Sequence, residues 1–326
     1  MASRLEELKD EVRKALPELD MVIAWAAGPD SLSHTPLFIT EAADVDRIEW
    51  DPRCSQSLAG YLPGLRGKKI GILAKGCDAR SIVELLQEKL IDRENVTIFG
   101  MHCEGTVDPD KIRSATSCGE GVHSVEIAGG GVKISTGGDA CADGETCMVG
   151  MEDALMGKCF RCTGADAEPC DHFVGEHGEP PAVSSVPPST LDMLEAMGFG
   201  DRLHFWEEQM DQCIRCYACR SACPLCVCQD QCAAQSREPH WIDQTDNPRE
   251  KLMFQAMHAL HTAGRCTECG ECERACPMDL PIMTLKQALN RRIKELFDYE
   301  AGKDPEQTPP LFQFREEEEH IKERKW

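Results

Sequence analysis

Basic residues and aromatics are scarce in this sequence. Aromatic residues fill 6% of its 326 positions, and 35 Lys and Arg face 57 Asp and Glu, a formal net charge of -22. So acidic a surface disfavours nucleic acid and anionic lipid as partners. No apolar run approaches the roughly 20 residues a membrane helix needs, so no membrane span is expected. The opening stretch, Met-Ala-Ser-Arg-Leu-Glu-Glu-Leu-Lys-Asp, lacks the apolar core of a signal peptide. No Gly-x-Gly-x-x-Gly run follows a strand in the required setting, which leaves a nicotinamide site of that kind unsupported. Neither a Ser-His-Asp set nor a pair of catalytic carboxylates can be argued. The ten histidines are dispersed, and His258 and His261 read as packing or surface residues.

Cysteine, by contrast, is abundant, at 20 residues. Such a count often means disulfides in a secreted chain. Here the cysteines cluster in Cys-x-x-Cys runs, which place thiols around one small centre rather than across a fold. With no signal core, a cytoplasmic protein with reduced thiols is expected, in an anaerobic setting. Hydrophobic residues at 41% allow a packed core.

Two stretches share one spacing: Cys213-Ile-Arg-Cys216-Tyr-Ala-Cys219-Arg-Ser-Ala-Cys223-Pro224 and Cys266-Thr-Glu-Cys269-Gly-Glu-Cys272-Glu-Arg-Ala-Cys276-Pro277. Both are the two-cluster ferredoxin run, in which the fourth cysteine ligates the other 4Fe-4S cluster. Three thiolates at intervals of three wrap three corners of a cubane, and the proline redirects the chain after the fourth. The expected sets are Cys213, Cys216, Cys219 and Cys276 on one cluster, and Cys266, Cys269, Cys272 and Cys223 on the other. Two zinc sites are the alternative, but a duplicated eight-cysteine run with both prolines speaks against it. The 43 residues from Cys223 to Cys266 look helical, with an amphipathic pattern over 251–262. In this the module resembles the α-helical ferredoxins of heterodisulfide reductase and of succinate dehydrogenase iron–sulfur subunits. Cys226, Cys228 and Cys232 lie beyond the eight and have no evident ligand set.

The first half reads differently. Residues 1–20 form an expected helix with Leu5, Leu8, Val12 and Leu16 on one stripe. Apolar runs at 21–25, 69–74 and 96–101 read as buried parallel strands. Residues 78–90 between the last two form a helix that Asp78 can cap, giving a βαβ unit. Residues 122–127 and 132–135 read as a hairpin around Gly129–Gly131. The expected organisation is α+β overall: an N-terminal α/β domain (1–175), a linker with four prolines (176–192), a mainly helical two-cluster ferredoxin domain (193–300) and a charged tail (301–326).

Cys77 and Cys103 each follow an expected strand, where ligands collect in α/β folds, and Cys159-Phe-Arg-Cys162 follows. Spacing alone makes these a four-thiol site of unknown metal. Gly76-Cys77-Asp78, His102-Cys103-Glu104-Gly105, and Cys159-Phe-Arg-Cys162 with Asp171-His-Phe-Val-Gly175 together resemble the beta subunit family of deazaflavin (coenzyme F-420)-reducing hydrogenases and related formate dehydrogenases. The resemblance spans roughly residues 65–175. It implies a third 4Fe-4S cluster on Cys77, Cys103, Cys159 and Cys162, with zinc as the alternative. It also implies an FAD, and electrons moving singly between that flavin and the clusters. Implied partners are other redox subunits: heterodisulfide reductase-like, hydrogenase or dehydrogenase. Cys141, Cys147 and Cys170 lie near the Cys-x-x-Cys and can replace one ligand or form a zinc site with it; Cys54 reads as an ordinary thiol. Lys75, Gly76, Asp78 and Arg80 stand where a helix N-terminus and cations can hold a flavin phosphate, or where Lys75 and Arg80 are surface charges and Asp78 is only a cap. The functional expectation is an iron–sulfur electron-transfer subunit of an oxidoreductase complex, the alternative a relay without flavin.

Overall fold

The structure, a computed structural model, describes residues 2–115, 122–136, 146–181, 189–228, 232–234 and 242–314. Its first part is a five-stranded sheet in the order β2-β1-β3-β4-β8. Strands β1 (Met21–Ala27), β3 (Ile70–Ala74), β4 (Val96–Met101) and β8 (His172–Val174) run parallel, and β2 (His34–Ile39) pairs antiparallel on the edge. Every residue of β3 is buried, the burial expected of a central parallel strand covered on both faces. Helix α1 (Ala2–Ala15) and the 3-10 turn after it lay Leu8, Val12 and Leu16 into this core.

Helix α2 (Gly76–Gln87) crosses from β3 to β4 and buries Ala79, Ile82 and Leu85. The expected helix begins at Asp78; the observed one begins two residues earlier, with Lys75 as N-cap. Asp78 still closes the end, accepting the Lys75 backbone N–H at 3.0 Å from the third helical position.

Helix α3 (Pro109–Ala115) leads to a second, antiparallel sheet of β5 (Val122–Ala128), β6 (Gly131–Thr136) and β7 (Thr146–Gly150), followed by the single turn α4 (Met151–Ala154). The β5–β6 turn uses Gly129 and Gly130 at φ 61° and 80°, which a tight hairpin needs and β-carbons oppose. Val125, Val132, Ile134 and Leu155 form a separate small core beneath it.

The remainder is helical: α5 (Thr190–Ala196), α6 (Phe199–Gln212), α7 (Ala218–Ser221), α8 (Pro248–His261), α9 (Glu271–Arg274) and α10 (Ile282–Phe297). Trp206, Met210, Phe254, Ile282 and Met283 share a third core with Cys213, Cys219, Cys266 and Cys272. The two halves interlock. Leu225, two residues past Cys223, is buried in the core of the five-stranded sheet. Arg265 pairs with Glu88, Tyr299 donates to Glu84 at 2.9 Å, and Arg80 donates to the Ala301 carbonyl at 3.0 Å. The start of the expected solvated tail is therefore fastened to α2; residues 315–326 lie outside the described part. Among the described residues no helix is long and apolar enough to cross a membrane.

Candidate iron–sulfur centres

The two ferredoxin runs fold as backbone copies. In the first, Arg215 and Tyr217 have φ of 52° and 62°; in the second, Glu268 and Gly270, at the same two places, have 56° and 77°. Left-handed backbone is unfavourable for residues other than glycine and persists only where surroundings enforce it. Side chains enforce it here. Arg215 donates to the Asp243 carbonyl at 2.8 Å, and Asn290 donates to both the Cys266 carbonyl (2.8 Å) and Glu268 (3.0 Å). Each run thus bends twice between its first and third cysteines, and a short helix, α7 or α9, carries the chain to the fourth.

The thiols interact in two sets. Burial raises the Cys219 thiol, and the neighbouring charges adding to that are Cys276 and Cys213. Cys266 is raised by burial to about 11, and Cys223 adds to it; burial likewise raises Cys269 and Cys272, again with Cys223 among the causes. Cys276 of the second run is thus a neighbour of Cys219 in the first, and Cys223 of the first a neighbour of Cys266, Cys269 and Cys272 in the second. Buried thiols resist ionising alone, whereas iron takes them as thiolates. Five of the eight cysteines are buried and Cys216 alone is exposed, a donor set that fits two cubanes. Gln255 on α8 places its amide 3.6 Å from the Cys219 sulfur. Cys226 gathers with Cys223 and His258, their ligand atoms all within 4.8 Å of one another; Cys228 is exposed and Cys232 half-buried.

Cys77, Cys103, Cys159 and Cys162 line one pocket. Cys77 comes from the start of α2, Cys103 from just beyond β4, and the Cys-x-x-Cys from a 3-10 turn at Gly157–Arg161. Burial lifts Cys77 to about 11, with Lys158 opposing; Cys103 rises through burial and through Cys159 and Cys77. Thr106 donates its backbone N–H to the Cys159 sulfur at 3.2 Å. Lys158 is buried, donates to the Ser55 carbonyl at 2.7 Å and lies near Cys77 and Cys159. Only glycine fits at Gly76, because a β-carbon there would stand 2.0 Å from the Gly164 oxygen as the Cys162–Asp166 segment crosses the helix. Four thiols with an adjacent buried cation form a donor set that fits an anionic metal centre.

The floor of this pocket is the ferredoxin module itself. Thr267 and Glu268, between Cys266 and Cys269, line it, and the Lys158 stem packs on Gly270, whose β-carbon would stand 3.1 Å from it. The cluster held by Cys266, Cys269 and Cys272 would therefore be the nearer of the pair. The other would lie toward the surface, where Cys216 is exposed.

The candidate phosphate site is arranged otherwise. Lys75 is buried, pairs with Asp78 at 2.8 Å, donates to the Gln56 carbonyl and sits 3.7 Å over the Trp25 ring. Arg80 holds Ala301. Lys75, Asp78 and Arg80 thus each have a partner within the chain, while Lys75, Gly76 and Arg80 also line the four-thiol pocket. Cys170 points to the carbonyls of Ile98 and His172, away from the four-thiol pocket. Cys147 lies on β7 of the small sheet, and Cys141 is outside the described residues. Cys54 is buried within metal-ligand reach of His34 and Asp51, but Asp51 is already held by His34 (3.0 Å) and Arg53 (2.6 Å). Sequence reasoning missed Lys158 and Gln255, since a lysine or glutamine carries no pattern that marks it as buried beside sulfur.

Residues 67–197 match the family model for the C terminus of the "Coenzyme F420 hydrogenase/dehydrogenase, beta subunit", and residues 209–280 match a 4Fe-4S dicluster domain. The chain is 26% identical to an F420-dependent formate dehydrogenase subunit beta of Methanocaldococcus jannaschii, over 90% of each chain. It is 25% identical to the F420-dependent formate dehydrogenase 1 subunit beta of Methanococcus maripaludis, over 90% of this chain and 89% of that one. Among solved structures, it superposes on a chain of the F420-reducing [NiFe] hydrogenase complex from Methanosarcina barkeri with a TM-score of 0.40 and 17% identity, covering 50% of this chain and 63% of that one. The chain thus joins a segment that matches the coenzyme F420 hydrogenase/dehydrogenase beta subunit model to one that matches a 4Fe-4S dicluster domain, which makes it an iron–sulfur electron-transfer protein.

Proposed function

We propose that the chain is the beta-type subunit of an F420-linked oxidoreductase complex. In this reading it carries electrons between a deazaflavin hydride carrier and a partner redox subunit such as a formate dehydrogenase or hydrogenase. A third 4Fe-4S centre is held by Cys77, Cys103, Cys159 and Cys162. The ferredoxin centres follow in order, first that of Cys266, Cys269, Cys272 and Cys223, then that of Cys213, Cys216, Cys219 and Cys276. The observation carrying this reading is that one pocket is lined by all four N-terminal thiols and by Thr267 and Glu268 of the nearer ferredoxin loop. The chain's residues hold the centres, keep water from the buried thiols and fix their spacing.

Hydride carriers deliver two electrons and iron–sulfur centres take one, so an FAD between them belongs to this reading. The test is flavin content per chain after anaerobic purification, followed by addition of reduced deazaflavin. About one FAD per chain, with bleaching of the iron–sulfur absorbance, is expected. The second reading, a relay and docking subunit without flavin, is favoured by the internal Lys75–Asp78 pair. No flavin in a sample with intact iron would establish it.

A further inference from the structure

The ferredoxin loops are backbone copies, yet their surroundings differ in charge. Helix α8 serves both: Gln255 faces Cys219 of one set, and His258 and Thr262, about one and two turns on, face Lys286 of α10. Lys286 is 2% exposed. Its Nζ lies 3.2 Å from His258 Nε2 and donates to Thr262 Oγ1 at 2.9 Å. Both acceptors are neutral, and among the described residues no carboxylate pairs with this ammonium. With Nε2 accepting from lysine, the imidazole proton falls on Nδ1. That nitrogen has no hydrogen-bond partner, and a His258 ring nitrogen lies within 4.8 Å of the Cys223 and Cys226 sulfurs. A buried ammonium needs an anion. The sulfurs around it are those of Cys223, Cys266 and Cys272, which become thiolates only on a bound metal centre.

We propose that Lys286 is the built-in counter-ion of the centre held by Cys266, Cys269, Cys272 and Cys223, and that with His258 it sets that centre's reduction potential above that of its partner, whose α8 neighbour is the neutral Gln255. The proposal rests on the ligand sets given above. Four thiolates make such a centre anionic and reduction adds another negative charge, so an adjacent cation favours the reduced form. An electron on the ferredoxin pair then rests on the member nearer the N-terminal pocket.

The test is an anaerobic redox titration of the full chain followed by electron paramagnetic resonance, with iron counted per chain, for Lys286→Met, Lys286→Arg and Cys269→Ser. Lys286→Met should move one wave to lower potential by at least a tenfold loss in its reduction equilibrium, where a tenfold change is 59 mV for one electron. Lys286→Arg should stay near wild type, and the moving wave should be the one Cys269→Ser alters. Loss of about four irons in Lys286→Met alone, with Lys286→Arg intact, also supports the counter-ion. Unmoved waves at full iron, movement of the other wave, or equal iron loss in both lysine variants would overturn it. If Cys269→Ser alters no iron signal, the ligand assignment fails first and the proposal with it.

Discussion

The hydroxyls of Ser81 and Thr267 lie 2.9 Å apart, both buried. They join α2, one turn beyond Cys77, to the loop between Cys266 and Cys269. Ser81→Ala strips Thr267 of this partner, and an unsatisfied buried hydroxyl costs about 1–3 kcal/mol. Anaerobic urea unfolding should show that loss, with iron content unchanged. An unaltered midpoint would contradict the bond's role in fastening the two halves.

Crossed ligation makes a specific demand on variants. Cys276→Ala and Cys213→Ala should each remove about four irons and abolish the same resonance signal, while Cys223→Ala should abolish the signal lost in Cys266→Ala. If Cys276→Ala instead removes the signal that depends on Cys272, each motif ligates its own cluster.

Much of this was legible in the sequence, for reasons that differ by region. The duplicated cysteine spacing is geometry written in one dimension, because consecutive ligands must fall within one loop. Strands β1, β3 and β4 are legible because a strand buried on both faces is a short apolar run. Strand β2 is not: His34, Thr35 and Pro36 sit on a sheet edge, where burial leaves little pattern. Lys75 and Asp78 had two possible partners, a ligand or each other, and composition cannot choose between them; the Trp25 ring and Gln56 carbonyl beside Lys75 come from distant sequence. Lys286 looks like any helical lysine until α8 is laid against it.

Burial raises the Glu84 carboxyl to about 7, against the pull of the Tyr299 hydroxyl. An unfolded glutamate titrates near 4.3. Between these values the folded chain holds a proton that the unfolded chain releases, so stability falls as pH rises from about 4 through 7 and then levels off. Glu84→Gln should remove this component and gain on the order of 2 kcal/mol over the native chain at pH 8. Melting temperatures of both at pH 5 and pH 8 check it; parallel pH profiles would count against it.

Leu225 is 2% exposed in the core of the five-stranded sheet although it follows a ferredoxin cysteine. Leu225→Ala should cost about 2–5 kcal/mol through lost burial and the cavity left behind. Because Cys223 is two residues away, the variant should also lose iron from the Cys266 set faster under chelator than the native chain. Iron release at the native rate would show that the insertion does not steady that ligand.

The central claim is that a third iron–sulfur centre lies in the α/β domain beside the ferredoxin pair. Metal analysis of the anaerobically purified chain, with Cys159→Ala alongside, tests it most directly. The account predicts about twelve irons and no zinc per native chain, falling to about eight irons in the variant. About eight irons and one zinc in the native chain, with the zinc lost in Cys159→Ala, would contradict it and leave the N-terminal thiols a structural site.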